Sequence, residues 1–146
     1  TEDGADCFHC HGGSGNPLFT TNLFYNNGKE KVYNDPRDRF SVTGDSMDLG
    51  AYKATTLRNI EFTGPYMHDG RFKTLEQVID FYSQGIIWSP YVHPLMHHAQ
   101  GGGIHLPPAE KGPLVAFIKP RPDKTFLTTP EFGAPATLPD GSAVQY

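Results

Sequence analysis

Several features that would point to common classes of protein are scarce in this sequence. Lysine and arginine number only 12 in 146 residues and form no cluster, and the net charge is −4, which argues against a nucleic-acid partner. No apolar run reaches 18 residues, so no membrane span is predicted. Charged residues make up only 19%, which excludes a charge-rich disordered tail.

Glycine and proline are abundant instead. They account for 29 of the 146 residues, or about 20% against a usual ~12%. This composition excludes a regular bundle of long helices and predicts many turns and extended connections. The length suits one domain, and 18 aromatic residues supply a core if a large apolar group helps to organise it.

Both cysteines lie in one pentapeptide, Cys7-Phe8-His9-Cys10-His11. This C-x-x-C-H pattern is typical of covalent attachment of c-type haem. On a helical turn, residues three apart share a face, so both sulfurs can add to the two haem vinyl groups. His11 then lies beneath the ring as the proximal iron ligand. His9, at an intervening position, is expected to face solvent.

Two other uses of paired cysteines fit less well. A redox dithiol normally follows a strand in a βαβ unit, which the residues before Cys7 do not suggest. A structural zinc site needs further ligands, and the sequence has no third cysteine. Thioether-bound haem implies a periplasmic or otherwise extracytoplasmic location. We therefore expect a signal peptide to have been removed before Thr1.

Helix signals are few. The motif predicts a short helix over 5–11, ended by Gly12-Gly13. A capping box at Thr74 and a buried stripe predict a helix over 75–84, the stripe being Leu75, Val78, Ile79 and Tyr82. Another helix is predicted near 109–118, its regular part beginning at Pro113. We expect a haem domain over 1–118 and an extended, proline-rich tail over 119–146, packed on the domain or on a partner.

Short motifs follow the cysteine pair in a fixed order: Leu-Phe-Thr at 18–20, Phe-Tyr-Asn-Asn-Gly at 24–28, Thr-Gly-Asp at 43–45, Asp-Leu-Gly at 48–50, Thr-Leu-Arg-Asn at 56–59, Thr-Gly-Pro-Tyr-Met-His-Asp-Gly-Arg-Phe at 63–72 and Thr-Leu-Glu at 74–76. This series resembles the bacterial di-haem cytochrome c peroxidase and MauG family. The resemblance runs from Cys7 to about Ile118. It implies a mainly α fold, a class I-like cytochrome c domain with short helices and long Gly/Pro-rich loops.

The resemblance also implies a division of labour. Members have one domain with the haem at which peroxide is cleaved and a second with an electron-transfer haem. This chain matches only the second domain, with a single C-x-x-C-H. A second haem-bearing domain or chain and a redox partner protein are therefore the implied partners. The expected function is electron transfer to the peroxidatic haem, for reduction of hydrogen peroxide or oxidation of a protein substrate.

The sixth iron ligand is the main open question. By family analogy it lies fourteen residues after the histidine of the 65–70 motif, where peroxidases have methionine and MauG-like proteins have tyrosine. Here that residue is Tyr82. A phenolate favours the ferric state, whereas a thioether favours the ferrous state. The alternatives are a purely structural Tyr82, ligation by Met67 or Met96, and an open site.

Other expectations concern the surroundings of the haem. His68 is expected in the haem environment, bonded to a propionate or a carbonyl, with direct ligation as the alternative. Arg58 is a candidate propionate partner, or else part of a surface ion pair. The family's interdomain calcium ion implies carbonyl ligands at Thr63 and Pro65, with calcium as a second candidate cofactor. Four histidines of the 93–105 segment suggest either an adventitious transition-metal site or an exposed loop; they are His93, His97, His98 and His105. No cysteine or carboxylate accompanies them in sequence and three glycines separate the last, so we expect the exposed loop.

Two other functions remain open at this point. The chain fits a stand-alone monohaem cytochrome c that carries single electrons. It also fits a haem subunit of a larger redox complex. We expect no catalytic residue in this chain and a single covalent haem c. Methionine ligation in an isolated monomer would favour the carrier, and a second haem-bearing chain would favour the peroxidase or the complex.

Overall fold

A computed structural model describes residues 5–13, 15–119, 124–133, 135, 137, 139 and 142–143. Its helices are short and are joined by long loops. The α-helices are α1 (Phe8–His11), α2 (Phe40–Thr43), α3 (Leu75–Gln84), α4 (Pro108–Ile118) and α5 (Lys124–Thr128), and 3₁₀ turns cover Ser46–Asp48, Ile60–Phe62, Ala99–Gly101 and Pro130–Phe132. The strands β1 (Phe24–Tyr25) and β2 (Tyr52–Lys53) pair antiparallel, with Tyr25 opposite Tyr52. This mostly helical, loop-rich architecture agrees with the expected class.

Helix α3 organises the domain and has the predicted bounds. Thr74 accepts a hydrogen bond from the backbone N–H of Gln77, whose side chain returns one to the backbone of Thr74, so the predicted capping box is confirmed. Leu75 and Ile79 of the predicted stripe are buried. Phe81 is buried on a neighbouring face, so the helix packs on two sides.

Each side of α3 faces its own apolar cluster. Leu75 and Ile79 pack with Leu106 and with Val115 of α4. Phe81 packs with Ile86 and Ala99, and a second set of half-buried side chains surrounds it: Met67, Phe72, Tyr82, Val92 and Met96. Helix α3 therefore separates the α4 side of the domain from the side that carries the candidate iron ligands.

The structure corrects some element bounds. Helix α1 begins at Phe8 rather than at residue 5, because Asp6 has a φ of 56°, which a right-handed helix cannot include. Gly12 ends α1 as predicted, with a φ of 79°. Helix α4 begins at Pro108 and runs through Pro113, rather than becoming regular only there. In the segment expected to be extended, α5 is helical and Phe126 stacks on Phe132 with ring centroids 5.4 Å apart.

Within the part of the chain that the structure describes, no helix is both long enough and apolar enough to cross a bilayer.

Candidate haem site

The two cysteines of the motif are free thiols on and beside α1. Burial, assisted by the negative charge of Asp6, raises the pKa of both thiols, that of Cys10 to about 11. A redox dithiol needs a lowered thiol pKa, because the thiolate is the nucleophile. The electrostatics therefore disfavour the dithiol alternative. Cys7 is exposed and Cys10 is half-buried, and the two have the spacing that haem attachment requires.

His11 is held by the backbone of a distant segment. Its Nδ1 lies 3.1 Å from the carbonyl oxygen of Thr55. When Nδ1–H donates to a carbonyl, Nε2 is left unprotonated and fixed in orientation, as in most protein-bound iron and zinc sites. Burial also lowers the pKa of the imidazole and favours the neutral form that binds a metal. The residues present thus fit a proximal haem ligand.

Two later segments of the chain, one before β1 and one after β2, hold the motif through hydrogen bonds. The carbonyl of Cys10 accepts hydrogen bonds from the N–H and the hydroxyl of Thr21, at 3.2 and 2.9 Å. Thr20 donates to the carbonyl of Ala54, and the N–H of Leu57 donates to that of Phe19. The residues after β2 are thereby tied to α1 through the residues before β1. This connection brings the Thr55 carbonyl to His11.

Tyr82 lies on α3, in the cluster around Phe81. Burial raises the pKa of its hydroxyl to about 12, although a hydrogen bond from Asn27 opposes the rise. The thiols of Cys10 and Cys7 contribute further to the rise in the pKa. The Asn27 amide nitrogen lies 3.0 Å from the Tyr82 oxygen. The phenol oxygen of Tyr82 is therefore held by Asn27 in the cluster that also contains Met67 and Met96.

The alternative ligands lie nearby. Met67 has its sulfur 3.7 Å from the same Asn27 nitrogen. Because a thioether can only accept, both contacts are consistent with an amide N–H group at this position. Met96 packs in the same cluster as Tyr82. The structure thus brings all three candidate sixth ligands to one side of α3.

His68 lies in a network of charges. Its Nε2 is 3.2 Å from the Lys29 ammonium and 3.2 Å from the Asp35 carboxylate. Its ring stacks on Tyr52 at 3.5 Å, and burial together with the charge of Lys29 lowers its pKa. Lys29 itself is only 6% exposed and pairs with Asp69 at 2.9 Å. These contacts occupy Nε2 of His68.

Comparisons with known proteins bear on this site. No protein-family model matches the chain. The chain is 40% identical over 80 residues to the cytochrome c551 peroxidase of Nitrosomonas europaea, an alignment that covers 53% of this chain and 23% of that protein. It is 33% identical over 81 residues to the methylamine utilization protein MauG of Methylorubrum extorquens, covering 56% and 22%. A crystal structure of a MauG-like protein associated with microbial copper homeostasis superposes with a TM-score of 0.74 at 34% identity, covering 91% of this chain and 47% of that one.

The chain belongs to the di-haem cytochrome c peroxidase and MauG family. Membership agrees with haem c as cofactor and with the C-x-x-C-H motif. The chain spans less than half the length of each of these relatives. What it does within a whole protein is taken up below.

Other residues singled out by the family resemblance lie around this centre. Arg58 is exposed, three residues beyond the Thr55 carbonyl that holds His11. Thr63 and Pro65 are exposed in the loop that leads to Met67 and His68. Their roles toward a propionate and a calcium ion stay predictions.

The four loop histidines do not act as one group. His93 contacts Tyr25 edge-on and accepts a hydrogen bond from the Leu95 N–H, while His105 bonds to the Gly101 carbonyl. His97 instead lies against His9, with ring centroids 5.1 Å apart. Contrary to expectation, His9 does not simply face solvent, because its Nδ1 is buried.

Sequence reasoning missed two of the groups that shape this site. Asn27 belongs to the Phe-Tyr-Asn-Asn-Gly motif at 24–28, but nothing local marks it as a partner of a residue 55 positions away. Lys29 reads as a surface cation until the structure shows it buried among Glu30, Asp69 and His68.

A cavity of about 400 Å³ lies elsewhere, between α3 and α4. Its walls include Glu76, Asp80, Lys111 and Val115, and none of the haem-motif residues. It takes no part in the candidate haem site.

Proposed function

We propose that this chain is the electron-transfer haem domain of a MauG-like di-haem peroxidase. Cys7 and Cys10 would hold one haem c through thioethers, His11 would bind the iron on one face, and Tyr82 on the other. The haem, when bound, supplies one-electron redox chemistry. The protein supplies attachment, axial donors and a fixed orientation.

The observation that carries this proposal is the position of the Tyr82 oxygen. It lies on the cluster side of α3, where it receives a hydrogen bond from the Asn27 amide beside Met67 and Met96. A phenolate at this place favours ferric iron and lowers the reduction potential. Tyr82 in place of methionine therefore supports a MauG-like centre rather than a high-potential electron carrier.

Two iron ligands from this chain would limit what it does alone. If His11 and Tyr82 both hold the iron, no position would be left open for peroxide. Among the described residues, the hydrogen-bond partner of the Tyr82 hydroxyl is the Asn27 amide, which has no pKa suited to acid–base catalysis. Peroxide cleavage is therefore assigned to a second haem-bearing domain or chain, and this domain passes electrons to it. Reduction of hydrogen peroxide or oxidation of a protein side chain would be the overall reaction.

Exposed apolar side chains support the presence of such a partner. Trp88 is 50% exposed and Phe117 is 78% exposed. Aromatic side chains are enriched at protein–protein interfaces, so these two residues are candidates for contact with a partner. Thioether-bound haem further supports an extracytoplasmic location.

Peroxidase assays on the haem-loaded chain test the assignment. We expect poor turnover with hydrogen peroxide and a reducing dye, and a large increase once the second haem domain is supplied. The Tyr82→Phe variant should gain some activity, because it opens a position at the iron. High turnover by the unaltered chain alone would place the catalytic site here and refute the proposal.

A further inference from the structure

Three side chains outside the haem ligands converge at the edge of α1. Nδ1 of His9 lies 2.5 Å from a carboxylate oxygen of Asp6. His97, from the loop between α3 and α4, places its ring 5.1 Å from that of His9 at an angle of 65°. Each residue offers one donor atom, and the three donors lie within 4.8 Å of one another. Two imidazoles and one carboxylate thus lie close together, although His9 and His97 are 88 positions apart in the sequence.

This cluster lacks the cation that neutralises a comparable one. Glu30, His68 and Asp69 also bring donor atoms within 4.8 Å, but the Lys29 ammonium lies among them and bonds to all three. Among the described residues, no lysine or arginine pairs with Asp6. The first cluster therefore has the negative charge and the nitrogen donors of a cation site, with no lysine or arginine counter-ion in the described part of the chain.

One histidine nitrogen of the cluster has no well-formed hydrogen bond within the described residues. Nδ1 of His9 is buried, and its contact with the Asp6 carboxylate is at ion-pair distance but lacks hydrogen-bond geometry. A buried polar atom without a partner is uncommon in folded proteins and calls for an explanation. A bound ion would supply one.

The loop that carries His97 is anchored to α3 rather than hanging free. The N–H groups of Ile104 and His105 donate to the carbonyls of Tyr82 and Ser83, at 3.1 and 2.7 Å. Gly103 passes so close to Ser83 that a Cβ at this position would lie 2.4 Å from its carbonyl oxygen. The N–H of Gly103 also donates to the carbonyl of His98 at 3.1 Å, so the residue next to His97 is tied to this anchored segment.

We propose that Asp6, His9 and His97 bind a divalent transition-metal ion of the Zn²⁺ or Cu²⁺ class. Imidazole nitrogen suits these ions, whereas Mg²⁺ and Ca²⁺ select all-oxygen sites. A tetrahedral ion with bonds of about 2.1 Å holds its donors about 3.4 Å apart, which small side-chain rotations achieve from the present separations. Three protein ligands leave one position for water, and the exposed His97 gives the ion a path from solvent.

This site is separate from the haem centre. Cys7, Cys10 and His11 remain available for haem, because the cluster uses the residue before Cys7 and an intervening residue of the motif. The proposal does not depend on which residue binds the distal face of the iron. Failure of one assignment therefore leaves the other standing.

Zn²⁺ binding to the full haem-loaded chain tests the proposal. Isothermal titration and equilibrium dialysis with metal analysis should give one Zn²⁺ per chain, and Ca²⁺ or Mg²⁺ should not compete. His97→Gln and Asp6→Asn should each weaken Zn²⁺ affinity by about tenfold or more, since each removes one of three ligands. Neither variant alters a haem-attachment residue, and haem content measured by the pyridine haemochrome verifies folding.

His98→Gln is the matched control, because His98 is adjacent, exposed and outside the cluster. It should bind Zn²⁺ as the unaltered chain does. Equal affinity in His97→Gln and the unaltered chain would overturn the proposal. So would an equal loss in His98→Gln, which would indicate non-specific binding by the histidine-rich loop.

Discussion

The side-chain amide of Asn27 donates a hydrogen bond to the phenol oxygen of Tyr82 across 3.0 Å. The same nitrogen lies 3.7 Å from the sulfur of Met67. One amide therefore contacts two of the three candidate sixth ligands. Which of them binds iron, and how strongly it donates, can be tested at these three positions.

Replacing Tyr82 by phenylalanine separates ligation from packing, because the ring stays and only the oxygen is lost. If Tyr82 binds iron, the ferric spectrum should change to a five-coordinate or water-bound form and the reduction potential should rise. If Tyr82 only fills the core, the spectrum should stay the same while the free energy of unfolding falls by about 1 kcal/mol for the lost hydrogen bond. Met67→Leu is the matched control, and a spectral change there alone would assign the ligand to methionine.

Leucine is similar in size to asparagine but has no side-chain N–H group. Asn27→Leu therefore removes the hydrogen bond to the Tyr82 oxygen. A phenolate without this hydrogen bond donates more charge to ferric iron, so the reduction potential should fall and the phenolate-to-iron absorption should shift. The effect should vanish when Tyr82 is already phenylalanine, which a double-mutant cycle on the potential measures. Equal shifts in both backgrounds would show that Asn27 acts on the haem by another route.

Covalent attachment through Cys7 and Cys10 has a direct chemical test. Denatured protein should retain its haem through acid–acetone extraction, and the pyridine haemochrome should be of the c type. Cys10→Ala should leave a single thioether and shift the haemochrome band toward that of a haem with one free vinyl group. Complete extraction of haem from the unaltered chain would refute the assignment of the motif.

The Lys29–Asp69 pair predicts an acid-sensitive contribution to stability. Burial opposes ionisation of Asp69, but hydrogen bonds from Lys29 and Arg71 outweigh it and hold the pKa of the carboxyl well below its usual range. A carboxyl whose pKa is lower in the folded than in the unfolded state, where it is about 3.9, stabilises the fold above that pH. This contribution is lost as the pH falls from the pKa of the unfolded state through the lower pKa of the folded state.

Asp69→Asn should therefore reduce the free energy of unfolding at pH 7 by about 1 kcal/mol, with less loss of stability between pH 5 and pH 2 than in the unaltered chain. Urea denaturation at several pH values measures both effects. Asp80→Asn, at an exposed pair with Lys111, is the control and should change little. Parallel pH profiles for Asp69→Asn and the unaltered chain would contradict the role of the pair.

Local signals in the sequence predict local structure well here. Helix α3 has its predicted bounds because its cap and its buried stripe both lie within eleven consecutive residues. The predicted start of α1 was wrong because Asp6 adopts a left-handed backbone conformation, which its residue type alone does not predict. Asn27 beside Tyr82 and His97 beside His9 depend on how distant loops return to the helices. No spacing rule contains that information.

The hydrogen bond between His11 and Thr55 uses a main-chain oxygen, so the identity of side chain 55 is irrelevant to it. Substitutions at 55 should consequently be well tolerated. Insertions or deletions between β2 and residue 57 should be poorly tolerated, because they would place a different carbonyl group, or none, within hydrogen-bond distance of the His11 imidazole. Selection at this end of the haem site would then act on loop length rather than on residue type, and an alignment scored by side-chain identity would record position 55 as variable.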